Sequence, residues 1–219
     1  MKPLFAIALL LASCTSMPSH DDTPAAQTHA RYLALGDSYT IGESVPSAEN
    51  FPHQLASALG LGEPQIIAKT GWTTDELNAA IDAANPQGPY DLVTLLIGVN
   101  NQYRGRDAEQ YRGEFTALLR RAIGFAGGDA SNVVVVSIPD WGVTPFAEGR
   151  DRAKIASEID RYNAINREEA MRAGDGVGAE RMLVALGRCG YADKVKSQLL
   201  EIYETFGWGH HRAVVSETW

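Results

Sequence analysis

Basic charge, cysteine and long apolar runs are all scarce in this chain of 219 residues. Lys and Arg number 19 against 27 Asp and Glu, a net charge of −8. Nucleic acid demands a basic footprint to neutralise its phosphates, so the charge argues against a nucleic-acid partner. Two cysteines, Cys14 and Cys189, build neither a disulfide framework nor a cysteine zinc cluster. No spaced set of His, Asp and Glu reads as a metal site. The glycine-flanked stretch Gly36–Gly42 lacks the Walker lysine, and no G-x-G-x-x-G follows a strand, which leaves no nucleotide cradle. Ser38 does not sit in a G-x-S-x-G elbow either, which argues against an α/β-hydrolase nucleophile. What remains is a composition of 45% hydrophobic and 21% charged residues. That is the profile of an ordinary globular domain with room for a sizeable core.

The N-terminal apolar run, Pro3–Ala12 after Lys2, is far too short to span a bilayer. It has the length of the apolar core of an export signal. It ends in Leu11-Ala12-Ser13-Cys14, which resembles the lipobox of bacterial lipoproteins. The resemblance implies a signal peptide over residues 1–13, cleavage before Cys14 and lipidation of that cysteine. An ordinary secretory signal cut after Thr28-x-Ala30 is the alternative. Residues 14–30 mix Ser, Thr, Pro, His and Asp without apolar periodicity and read as a flexible tether. The expectation is an exported, periplasmic protein held to a bacterial membrane by its lipid, with the folded domain starting near Arg31.

From there the sequence alternates. Strands are expected at Tyr32–Leu35, Gln65–Ala68, Leu92–Ile97 and Val133–Ile138, each an apolar run closed by glycine or proline. Helical periodicity falls on Phe51–Leu59, on a segment from the Thr73/Glu76 capping box to about Ala84, on Asp107–Ala126 and on Asp151–Ala173. Buried strands separated by helices predict an α/β fold, a three-layer α/β/α arrangement around a mostly parallel sheet. Ligands then bind beyond the carboxyl ends of the strands. Three loops at that rim carry chemistry: Gly36-Asp37-Ser38, Thr70-Gly71-Trp72 and Gly98-Val99-Asn100-Asn101. A serine with its own N–H at a helix start, a glycine N–H and an asparagine amide are three donors suited to an acyl oxyanion.

In these three ordered blocks the chain resembles the SGNH (GDSL-type) hydrolases, a family of esterases with a flavodoxin-like fold. The match runs over residues 31–173. The resemblance implies Ser38 as nucleophile, with Ser38, Gly71 and Asn100 forming the oxyanion hole. It also implies a small-molecule acyl ester as substrate, and neither cofactor nor metal. Asn101 stands where the family usually has Asp. The larger departure is the family's C-terminal Asp-x-x-His, which occurs nowhere in this sequence. The five histidines are His20, His29, His53, His210 and His211. Three readings account for the gap. His210 or His211 serves as the base of a Ser–His dyad; the domain binds acyl or sugar ligands without catalysis; or residues 174–219 derive from a shifted reading frame. Within that segment Met182–Leu186 reads as a fifth strand and Tyr191–Phe206 as an amphipathic helix.

Other residues carry plainer expectations. His53 beside Pro52 reads as a satisfied or surface histidine, Asp140 as a turn aspartate, and Cys189 as an incidental thiol. Trp72, Tyr103 and Trp141 lie on rim loops, where packing and an acyl or sugar contact are both open.

Overall fold

The computed structural model describes residues 30–173. Four strands, β1 (Tyr32–Gly36), β2 (Gln65–Ala68), β3 (Leu92–Leu96) and β4 (Val133–Val135), form one sheet in the order β2-β1-β3-β4. Every pairing is parallel. The helices are α1 (Ser38–Ile41), α2 (Phe51–Leu59), α3 (Thr74–Ala84), α4 (Val99–Tyr103), α5 (Ala108–Phe125) and α6 (Arg152–Ala173).

The period of two along each strand divides the core into two layers. Leu33, Leu35, Val93, Leu95 and Val133 point to one face, where they pack with Leu77 and Ile81 of α3, Tyr111 and Phe115 of α5, and Ile155 and Ile159 of α6. Tyr32, Ala34, Leu92, Leu96 and Val134 point to the other, against Phe51, Leu55 and Leu59 of α2. Each such buried Leu or Phe contributes about 1.5–3 kcal/mol. Thr94, a polar exception buried in the second layer, is paired: its hydroxyl lies 2.9 Å from that of Tyr32.

Local signals set the element ends. The Thr73 N–H donates to the Glu76 carboxylate at 2.8 Å, completing the capping box that starts α3. Asn85 ends that helix in the left-handed region. β4 is shorter than its apolar run. Val136 N–H still reaches Leu95 O at 2.9 Å, but both backbone groups of Ile138 are taken by the Asn163 amide of α6, at 2.8 and 2.9 Å. A side chain thus replaces the strand partner, and Pro139 follows.

From β1 the chain steps to β2 on one side and then to β3 on the other. The strand order reverses at β1, which opens a crevice above the carboxyl ends of β1 and β3. The expected strand and helix at 182–206 lie outside the described residues.

Candidate active site

Ser38 is the first residue of α1, two positions past the end of β1. The turn is tight. A Cβ on Gly36 would meet Thr40 Oγ1 at 2.0 Å and Leu96 O at 2.5 Å, so only glycine lets α1 fold back so closely over the sheet. Asp37 caps α1 by accepting the Tyr39 N–H at 3.1 Å. Its carboxyl is fully buried and its second oxygen has no hydrogen-bond partner. Burial therefore pushes the Asp37 carboxyl up to about 7, against the opposing pull of the Tyr39 N–H. Burial, with the charges of Asp37 and Asp140, pushes the neighbouring Tyr39 phenol up to about 12. Ser38 and Tyr39 open onto a groove of about 250 Å³ that runs along Glu43, Val45 and Phe51.

The β2–α3 loop carries Gly71 at φ +84°, a conformation that costs a side chain strain although the space around it is open. Short helix α4 grips this loop at successive points. Asn100 Nδ2 donates to Trp72 O at 2.9 Å, and Arg104 donates to Gly71 O at 2.6 Å. Asn101, fully buried, accepts the Thr74 N–H at 3.1 Å and donates to the Thr74 hydroxyl at 2.7 Å. Its amide also lies 3.4 Å from the Glu114 carboxylate, to which the Thr74 hydroxyl donates. Arg106 pairs with Asp75 at 2.7 Å. Thr70 donates to the Glu43 carboxylate, joining the β2–α3 loop to the segment after α1.

The structure therefore ties Asn100 of α4 directly to the Gly71 loop and sets Ser38 just past the end of β1, the strand between β2 and β3. An amide has two hydrogens, and Trp72 O takes one of those on Asn100. The arrangement can present the other, together with backbone N–H groups, to an oxygen held over the crevice.

Three sequence candidates have plainer places. Both ring nitrogens of His53 face oxygens, Asn50 Oδ1 at 2.6 Å and Glu63 Oε1 at 2.7 Å. Asp140 accepts the Gly142 N–H at 2.7 Å as a turn cap. Trp141, mostly buried, packs edge-on against Tyr103 with ring centroids 5.4 Å apart. Cys14, Cys189, His210 and His211 lie outside the described residues. Arg104 and Glu114 carry no motif in the sequence; the two arginines that flank Gly105 are the one local signal for Arg104.

The profile of the GDSL-like lipase/acylhydrolase family matches residues 34–179. The chain belongs to that family. Comparison with curated proteins gives no match. Among solved structures, this GDSL-like chain is similar to a phospholipase A1 from Streptomyces albidoflavus NA297, at 19% identity with a TM-score of 0.53. That alignment covers 67% of this chain and 77% of the phospholipase. It is also similar to AlinE4, an SGNH-hydrolase family esterase (18% identity, 66% and 73% covered, TM-score 0.52). TesA aligns over 78% of this chain and 99% of its own, at 15% identity and a TM-score of 0.52. Similarity at these identities establishes the α/β fold, which is that of the SGNH hydrolases.

Proposed function

We propose that this GDSL-like chain is a serine esterase that cleaves a carboxylic acyl ester through an acyl-enzyme. The single observation that carries the reading is the cross-link of the Asn100 amide to the Gly71–Trp72 loop, beside the strand end that bears Ser38. Preorganised donors of this kind act where charge develops in the transition state. In the proposed sequence, Ser38 Oγ attacks the ester carbonyl carbon and its proton passes to a histidine. The carbonyl oxygen, now an alkoxide, accepts from Ser38 N–H, Gly71 N–H and the Asn100 amide. Collapse expels the alcohol, which takes the proton back, and water then releases the acid by the same route. His210 or His211 is the proposed base. The chain is further proposed to be exported and lipid-anchored at Cys14.

The test is hydrolysis of short- and medium-chain aryl esters by the full chain and by Ser38→Ala. Loss of essentially all turnover in the variant is expected; equal rates in the two would end the serine mechanism.

A second reading rests on one observation. His53 is the only histidine among the described residues, and its ring nitrogens are both occupied. A non-catalytic domain that binds acyl ligands would show saturable ligand binding and no turnover by either protein.

A further inference from the structure

Beside the oxyanion loops stands an aromatic cluster that the proposed chemistry does not use. Tyr103 ends α4, one turn beyond Asn100. Trp141 and Phe146 come from two short helical turns, Trp141–Val143 and Pro145–Ala147, in the connection from β4 to α6. Their ring centroids lie 5.4, 5.8 and 6.0 Å apart. The cluster is built on a fixed base: Trp141 Nε1 donates to Gln102 Oε1 at 2.8 Å, and Gln102 in turn donates to Glu158 at 2.7 Å. Its outer surface is open, with Phe146 65% exposed, Tyr103 44% and Val143 38%. Tyr103 shares α4 with Asn100, so the cluster is built onto the same short helix that carries the proposed amide donor.

One cation belongs to this surface. The Arg150 guanidinium lies 5.1, 5.4 and 5.3 Å from the ring centroids of Tyr103, Trp141 and Phe146. It donates to the Tyr103 hydroxyl at 3.1 Å. In a chain of net charge −8, Arg104, Arg106, Arg112 and Arg121 all pair with carboxylates. Arg150 is exposed and makes no ion pair among the described residues. Stacking on rings orients a guanidinium while leaving most of its five N–H donors free for a planar or tetrahedral anion.

We infer that Tyr103, Phe146 and Arg150 form a substrate subsite for an amphiphilic ester that bears an anionic group, the rings taking its apolar part and Arg150 its phosphate or carboxylate. The inference rests on the esterase reading for its catalytic consequence and on geometry alone for binding. Two measurements separate them. The first compares kcat/KM for 1-lauroylglycerol 3-phosphate and for neutral 1-lauroylglycerol, both as monomers in solution. The phosphate ester is expected to be preferred about tenfold at low salt, the preference shrinking as salt screens the pair. Arg150→Gln is expected to bring the ratio close to one, Arg150→Lys to restore part of it, and Phe146→Ser to depress both esters alike. A wild-type ratio of one, or a ratio that Arg150→Gln leaves intact, overturns the inference. The second titrates dodecyl phosphate against tryptophan fluorescence in the full chain, in Ser38→Ala and in Arg150→Gln. Saturable binding that is kept in Ser38→Ala and weakened several-fold in Arg150→Gln upholds the subsite even where neither ester turns over, an outcome that ends only the esterase reading. Equal affinity in all three proteins removes the subsite.

Discussion

Asp37 is the residue whose environment is most at odds with its chemistry. A carboxyl with no exposed surface and one oxygen unpartnered favours its proton, and burial raises it to about 7. An unfolded chain gives up that proton near the ordinary value of 3.8. Between these values the folded state holds a proton that the unfolded state has lost, so stability falls as pH rises through the interval. The expected loss is on the order of a few kcal/mol, complete a little above pH 7. Asp37→Asn keeps the oxygen that caps Tyr39 and removes the titration. Urea midpoints of the two proteins from pH 4 to 8 check this: the wild type should lose ground steadily against the variant, and parallel curves would show that Asp37 stays ionised. The same side chain was legible in the sequence only as part of a motif. Its burial follows from Gly36, which draws α1 down onto the sheet, and no local pattern announces that.

At the scale of elements, α4 is five residues long and yet holds the β2–α3 loop through Asn100, Asn101 and Arg104. The family's usual Asp at the position of Asn101 would here face the Glu114 carboxylate, 3.4 Å from the Asn101 amide. Glu114 already supplies the negative charge, and a neutral amide that both donates and accepts fits between it and Thr74. Asn101→Asp is therefore expected to destabilise the fold by about 1–3 kcal/mol through like-charge repulsion and a lost buried hydrogen bond. Adding Glu114→Gln should recover much of that loss, a coupling that a double-mutant cycle of urea midpoints measures; strictly additive effects would deny the contact. Because Asn101 fixes α4 on Thr74 next to the Asn100 bond to Trp72 O, Asn101→Ala is expected on the esterase reading to lower kcat about tenfold or more with a smaller change in KM, measured on the ester that the wild type cleaves best. The four strands and the long helices were legible: apolar runs closed by glycine or proline gave the strands, and Thr73 with Glu76 gave the start of α3, whereas α4 read as a loop. The end of β4 was not legible either, because Asn163 lies 25 residues beyond Ile138 and its amide competes with the ladder only after α6 has packed.

For the molecule as a whole, three loops from distant segments share one rim because parallel strands place all their carboxyl ends together. Ordered blocks in the sequence report such a rim well, since each block is local and only the order must match. The base is a different matter: in the family it is recognised by its spacing to an aspartate, and here that spacing is missing. His53 cannot fill the place, since Asn50 and Glu63 hold both ring nitrogens. The esterase reading proposes His210 or His211 as its base, and the two are separable. Replacing the true base with Ala should cost kcat at least about 10³-fold, because the Ser38 hydroxyl is then left protonated, while the other substitution should cost little. Steady-state rates of His210→Ala and His211→Ala beside the wild type check both expectations together. Full activity in each single variant and in the double variant would remove the dyad and call for another base; no turnover by the wild type would leave the rim as a binding site.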